Sequence, residues 1–271
     1  INIEGYIPGK EIIVLGSGDI GLIMARRMKL EGCNVKGVFE INHFSSGLLR
    51  NIAQCLDDFN IPLYLGSTVT KVFGNERIQA VEISNVDKNY NIVKGSQRIF
   101  NCDTLLLSVG LIPENELSKT CGINLDRKSL GPIVDENYQT NKKGIFSCGN
   151  SLFVNDIVDN VTEAGYFAAE GCYNFLNNNL NSESVIQVEP GEGIVYIIPH
   201  KISGKKDVTF NIRVSKPFKN ANIIFENLFC KKYKFITPGE MVFIKINKKI
   251  LSSLFEININ VLRVYIEKDR A

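Results

Sequence analysis

Glu11-Ile-Ile-Val-Leu-Gly-Ser-Gly-Asp-Ile-Gly21 decides how this chain is read. Its first five residues are a short β-branched and apolar run, which predicts a strand buried on both faces. The next six are G-x-G-x-x-G, and Ile20, Ile23, Met24 and Met28 follow at helical spacing until Gly32. The motif therefore stands where a strand turns into a helix, the context that gives a glycine string its meaning. Gly16 permits the tight turn, Gly18 lets the backbone approach a pyrophosphate with no Cβ in the way, and Gly21 allows helix and strand to pack closely. Ser17, Asp19 and Ile20 complete the motif, and the helix start offers free N–H groups to phosphate charge.

Residues 35–40 read as a second buried strand with Glu40 at its end, 19 positions beyond Gly21. A carboxylate there can accept hydrogen bonds from both hydroxyls of an adenosine ribose and would repel a 2′-phosphate. NAD(H) is therefore expected in preference to NADP(H). An apolar stripe (Leu48, Ile52, Cys55, Leu56, Phe59) predicts a helix over 47–59, closing a βαβα unit.

Outward from that unit, 61–65 reads as a third parallel strand. Residues 68–73, 77–86 and 97–100 alternate as an antiparallel meander or crossover, and 104–109 is a continuous apolar strand ending at Gly110. A short helix is expected over 114–120, then a loop rich in Gly, Asp and Lys leading through Ile133-Val134 to a strand at 144–148, and a long helix over 159–180. From Gly193 the period changes to two, and 194–198, 208–214, 221–225, 232–236, 241–246 and 257–266 read as strands with no comparable helix among them. Such a run predicts a small β-sandwich attached to an α/β body, with the boundary over 182–193.

The composition is that of a globular chain. Its 271 residues hold 31 Lys and Arg against 29 Asp and Glu and are 44% apolar, which argues against disorder, collagen and coiled coil. The longest apolar stretches, such as 12–15 and 104–109, fall far short of the ~20 residues that span a bilayer, and no signal-like segment opens the chain. A cytoplasmic location is expected. Seven cysteines stand singly, without C-x-x-C or zinc-type spacing, so neither a local dithiol nor a metal site is expected.

Residues 1–185 carry 16 basic against 21 acidic side chains, whereas 186–271 carry 15 against 8. The basic tail, with Phe210, Phe218, Phe225, Phe229, Tyr233, Phe235 and Phe243, could suggest a nucleic-acid surface. Strand alternation, with aromatics in and lysines out, explains it more simply, so no nucleic-acid partner is expected and a docking or dimerisation module is preferred.

Four stretches together resemble the FAD-dependent pyridine nucleotide-disulfide oxidoreductase superfamily, in the branch near NADH oxidases and the amine, opine and glycerol-3-phosphate oxidoreductase subunits. They are 16–21, 105–113, 131–135 with Thr140, and 144–150 followed by a long helix. The resemblance implies an α/β fold: a Rossmann-like three-layer NAD domain over 1–110, the returning part of an FAD domain over 111–185, and a sandwich-like all-β tail over 186–271. It further implies that Gly110 marks the return to the flavin site, and that Gly149 and Asn150 end the second FAD motif. The helix starting near Val161 or Thr162 would then aim its positive end at the flavin. At the last motif position the family usually has Asp, so Asn150 would bond a ribityl hydroxyl without charge.

The superfamily's other glycine motif, which holds the FAD pyrophosphate, is missing here, and the chain starts at Ile1. This implies a fragment, or a subunit whose other half is supplied in trans; the resemblance separately suggests a partner dehydrogenase subunit or a homo-oligomer. By resemblance the whole protein would pass hydride between NAD(H) and FAD, with no side chain needed as acid or base. The rival reading is a non-catalytic assembly or nucleotide-sensing subunit of a larger oxidoreductase complex.

Overall fold

The computed structural model describes residues 1–180, 186–256 and 259–268. Among these the chain divides into two compact units, Ile1–Gly110 and Leu111–Ala271.

The first unit has three layers. Its centre is a fully parallel sheet of β1 (Glu11–Leu15), β2 (Asn34–Glu40), β3 (Leu63–Leu65) and β7 (Thr104–Leu107), in the order β3-β2-β1-β7. Alternation along β1 assigns its faces. Ile12 and Val14 pack with Leu22, Ala25 and Met28 of α1 (Asp19–Leu30) and with Cys55 of α2 (Leu49–Cys55). Ile13 turns the other way, to Phe39, Val81, Ile83 and Cys102. That layer is the antiparallel sheet of β4 (Ser67–Phe73), β5 (Ala80–Asn85) and β6 (Arg98–Asn101), a meander in sequence order. Phe39 stacks on Tyr64 at 4.6 Å and meets Phe100 edge-on at 5.1 Å. Burial on both sheet faces explains why β1 reads as an unbroken apolar run.

In the second unit, α3 (Glu116–Thr120) and α4 (Val158–Leu176) precede the β-rich stretch. Here β8 (Ile186–Pro190), β10 (Lys201–Ile202), β12 (Phe218–Phe225), β13 (Phe229–Ile236) and β15 (Val261–Lys268) form one sheet, in the order β10-β8-β15-β12-β13. The other, β14-β11-β9, contains β9 (Ile194–Ile198), β11 (Val208–Val214) and β14 (Val242–Ile246). Their inner faces share one core, in which Phe210 and Phe225 meet at 5.0 Å. Ile198 and Met241 of the β-rich stretch also join Val134, Tyr138, Leu152, Phe153 and Ala168 in a second core.

The structure departs from the sequence reading in several places. The helix expected over 47–59 is shorter, Leu49–Cys55 followed by a 3-10 turn at Asp57–Phe59, because Ser45, Ser46 and Leu48 ahead of it are bonded to Ser17 and Asp19 of the glycine turn. Residues 144–148 form no ladder and hold only an isolated bridge between Phe146 and Gln139. The boundary expected over 182–193 contains β8, which pairs in parallel with β15. The tail also carries two helical turns, α5 (Lys248–Leu251) and α6 (Ser253–Glu256), where Asn247 caps α5 by accepting from Ile250 N–H. The start of the strand expected over 257–266 lies outside the described residues, and β15 begins at Val261.

Candidate dinucleotide site

The glycine turn joins β1 to α1 and lies between the C-terminal ends of β2 and β7. Its three glycines do different work. A Cβ on Gly16 would come within 2.0 Å of the Ser108 carbonyl oxygen, and φ there is +100°. A Cβ on Gly21 would stand 2.4 Å from the Gly16 carbonyl oxygen. Both glycines are demanded by the fold itself. Gly18 has φ −64° and ψ 164°, a conformation open to any residue, and a Cβ there would meet nothing within 4 Å. The protein supplies no steric reason for a glycine at 18, so the space over it is an open cradle of the kind a pyrophosphate needs.

Beside that cradle, the N–H groups of Asp19, Ile20 and Gly21 have no acceptor among the described residues, and the first i→i−4 bond of α1 runs from Leu22 N–H to Gly18 O. These are the orphan donors of a helix start. No side chain caps it, and Ile20 stands 67% exposed next to it. The Asp19 carboxylate turns aside to accept from Leu48 N–H at 2.8 Å and Asn51 Nδ2 at 2.6 Å.

Glu40 is 4% exposed and is the most heavily bonded side chain of the site. Its Oε2 accepts from Ser17 N–H at 2.9 Å and Ser17 Oγ at 2.6 Å, while Oε1 accepts from Asn42 N–H and Asn42 Nδ2, both at 2.9 Å. Ser17, fully buried, is the hub of a second set of bonds. Its carbonyl accepts from Ser45 Oγ at 3.1 Å and its hydroxyl from Ser46 N–H at 3.3 Å. On the outer side, Tyr90 Oη donates to Asn42 Oδ1 at 2.9 Å. Tyr90 sits in a turn built on Asp87, whose carboxylate accepts from Asn89 N–H and Asn91 N–H. Those backbone donors, Asn91 first, hold the Asp87 carboxyl below the usual carboxylate range.

The sequence motifs thus bring Gly16, Ser17, Gly18, Asp19, Ile20, Gly21 and Glu40 together at one sheet end. Asn42, Ser45, Asn51 and Tyr90 were not singled out. The mostly polar run Asn42-His-Phe-Ser-Ser-Gly47, two residues after Glu40, was the available signal for the first two, whereas nothing local marks Tyr90. Gly110, with φ +92°, ends the first unit.

The residues expected at a flavin lie in the second unit. Gly149 takes φ +64° at a 3-10 turn. Asn150 Oδ1 accepts from Asn155 N–H at 3.0 Å, and its Nδ2 has no partner among the described residues. The long helix begins at Val158, earlier than Val161 or Thr162. Thr162 therefore lies one turn inside α4, with its hydroxyl bonded to Val158 O at 3.2 Å. The uncapped start of α4 and the Asn150 amide suit the ribityl and pyrimidine parts of a flavin, but the chain has a single G-x-G-x-x-G, and that one lies in the first unit.

A glycine turn with an open cradle, a helix start with orphan donors and a carboxylate at the end of the second strand define a Rossmann-type dinucleotide-binding unit. The family model for pyridine nucleotide-disulphide oxidoreductase matches residues 3–167, and the chain belongs to that family. It is 25% identical over 173 residues to the mitochondrial dihydrolipoyl dehydrogenase of Caenorhabditis elegans, covering 62% of this chain and 34% of that protein. With the NADH oxidase of Methanocaldococcus jannaschii it shares 24% over 155 residues, 55% of this chain and 31% of that protein. The thioredoxin reductase structure of T. acidophilum superposes with a TM-score of 0.51 at 23% identity, over 62% of this chain and 53% of that one. The chain thus spans about a third of these two curated relatives. No described helix is long and apolar enough to cross a membrane.

Proposed function

We propose that this chain carries the NAD(H)-binding part of a flavin-dependent oxidoreductase, in which hydride passes between the nicotinamide and FAD. The open space over Gly18 carries the reading, because the fold has no other use for a glycine there. In this assignment the pyrophosphate lies over Gly18 and takes hydrogen bonds from the first N–H groups of α1. Glu40 accepts from the adenosine ribose and repels a 2′-phosphate, which favours NAD(H) over NADP(H). FAD, when bound, supplies the hydride chemistry. The residues on this chain suited to it are Asn150, offering its amide to a ribityl hydroxyl, and the α4 start with Gly149. Thr162 falls to a packing role.

The domains so assigned are 1–110 for NAD(H), 111–185 for the returning FAD segment and 186–271 for a β-sandwich module. That module would dock a partner dehydrogenase subunit or a second copy of the chain. A cytoplasmic location belongs to the same proposal.

Calorimetric titration with NADH, NADPH and FAD in turn tests it. Binding of NADH tenfold or more tighter than NADPH is the expected result. Equal affinities would remove the role given to Glu40, and absence of all binding would favour a non-catalytic assembly module instead.

A further inference from the structure

Glu40 is a full acceptor in the chain as it stands. A carboxylate offers about four lone-pair sites, and Ser17 N–H, Ser17 Oγ, Asn42 N–H and Asn42 Nδ2 take one each. A ribose hydroxyl can bond this carboxylate only if a resident donor leaves. Resting on the NAD(H) reading of the site, we infer that the Asn42 side chain is a displaceable latch on Glu40, and that Tyr90 holds the latch shut.

Three of the four donors are fixed. Ser17 N–H belongs to the glycine turn, whose geometry Gly16 and Gly21 dictate. Asn42 N–H is fixed because the carbonyl of the same residue accepts from Gly66 N–H at 2.9 Å. Ser17 Oγ sits on a fully buried residue and also accepts from Ser46 N–H. The Asn42 amide remains, on a half-buried residue at the rim of the site.

That amide cannot make room by turning end over end, because this would set Oδ1 against the carboxylate. It has to swing out, and swinging out also breaks the bond from Tyr90 Oη to Oδ1. Tyr90 is 54% exposed, and its turn is closed by Asp87 and further tied down by the phenol, so loss of the phenol bond leaves the turn formed but easier to open. Binding of the adenosine end is thereby coupled to release of Tyr90. Asn42 acts on the ribose through Glu40 and is a positioning residue that opposes binding.

The test is titration of the 271-residue chain with ADP-ribose and NADH, comparing the unaltered protein with Asn42→Ala and Tyr90→Phe. Removing a charge-assisted bond that has to be broken should tighten binding about 3- to 10-fold in Asn42→Ala and about 2-fold in Tyr90→Phe. In the unaltered chain, ADP-ribose should speed hydrogen exchange at the Tyr90 amide, and in Tyr90→Phe that acceleration should vanish.

Weaker binding in Asn42→Ala would overturn the latch, because it would mean that Asn42 holds Glu40 ready for the ribose. Tyr90→Phe removes only an exposed hydroxyl, so it decides the matter if Asn42→Ala fails to fold. In that case an affinity equal to that of the unaltered chain, with ADP-ribose still speeding exchange at position 90 to the same extent, would overturn the proposal. Binding by Asn42→Ala alone would support a latch stronger than supposed. Absence of binding in the unaltered chain and in every folded variant would overturn the dinucleotide reading, and the latch with it.

Discussion

Arg213 of β11 reaches Asp156, in the loop before α4, with Nη2 at 2.8 Å from Oδ1. Both side chains are largely out of solvent, at 13% and 26% exposure. The guanidinium also donates to Pro238 O at 2.7 Å and Val154 O at 3.2 Å, and Asp156 Oδ2 accepts from Met241 N–H at 2.6 Å. One ion pair thus fastens the loop ahead of the long helix to two separate parts of the β-rich stretch. Removing one partner leaves a buried charge without compensation, which costs far more than the pair contributes over an apolar substitute. Asp156→Ala should therefore destabilise the second unit by about 3–5 kcal/mol. Urea unfolding followed by circular dichroism measures this, and a loss under about 1 kcal/mol would place the pair among weak, solvent-screened ones.

His200 should make folding sensitive to acid. Its Nδ1 accepts from Val134 N–H at 3.2 Å, so the neutral ring carries its proton on Nε2, which is buried without a partner among the described residues. Desolvation pushes its pKa down, against the opposing pull of Asp126 and together with the charge of Lys201. Because the folded pKa lies below the unfolded one, the fold binds fewer protons than the unfolded chain. The stabilisation is complete above the unfolded value of ~6.5 and is lost as pH falls toward the folded pKa. Within that window stability should drop by up to about 1.4 kcal/mol per pH unit. Urea midpoints taken between pH 7.5 and 5 measure the slope, and His200→Gln should flatten it. An equal slope in the variant would assign it to other groups.

Periodicity made the first unit legible because each of its decisive contacts is local in sequence or dictated by one residue type. The β1-turn-α1 reading followed from 11 residues, and Glu40 from its distance to Gly21. What escaped depends on partners far along the chain. Residues 144–148 have the composition of a strand, yet a ladder is a property of two strands, and Phe146 finds only Gln139. The strand β8 was hidden in what reads as a linker, because Ile186 and Val188 become strand only by pairing with His200, Ile202 and β15. Tyr90 lies 48 residues from Asn42, and no spacing rule connects them.

The three glycines of the turn should separate on substitution. Gly16→Ala combines a left-handed backbone with a collision against Ser108, and Gly21→Ala collides with Gly16, so each should cost at least about 3 kcal/mol. Gly18→Ala has room and an allowed backbone, so stability should be unchanged or raised by up to about 1 kcal/mol. Its NADH affinity should nonetheless fall about tenfold or more, because the methyl group enters the space assigned to the pyrophosphate. Thermal melts paired with NADH titration distinguish the two effects. Full affinity in Gly18→Ala would place the phosphates elsewhere.

Glu40 has a double role, and its substitution should show both parts. Glu40→Ala removes the acceptor for two backbone N–H groups, a hydroxyl and an amide, and Ser17 is fully buried. Orphaned buried donors cost about 1–3 kcal/mol each, and some of these regain water in the space left behind, so a net loss of about 2–4 kcal/mol is expected. Independently of stability, NADH binding should weaken and NADPH binding should gain, since the carboxylate that repels a 2′-phosphate is gone. Because destabilisation lowers both affinities alike while loss of the carboxylate moves them in opposite directions, the ratio of the two dissociation constants isolates the electrostatic part. A ratio equal to that of the unaltered chain would leave Glu40 as a structural anchor of the glycine turn and nothing more.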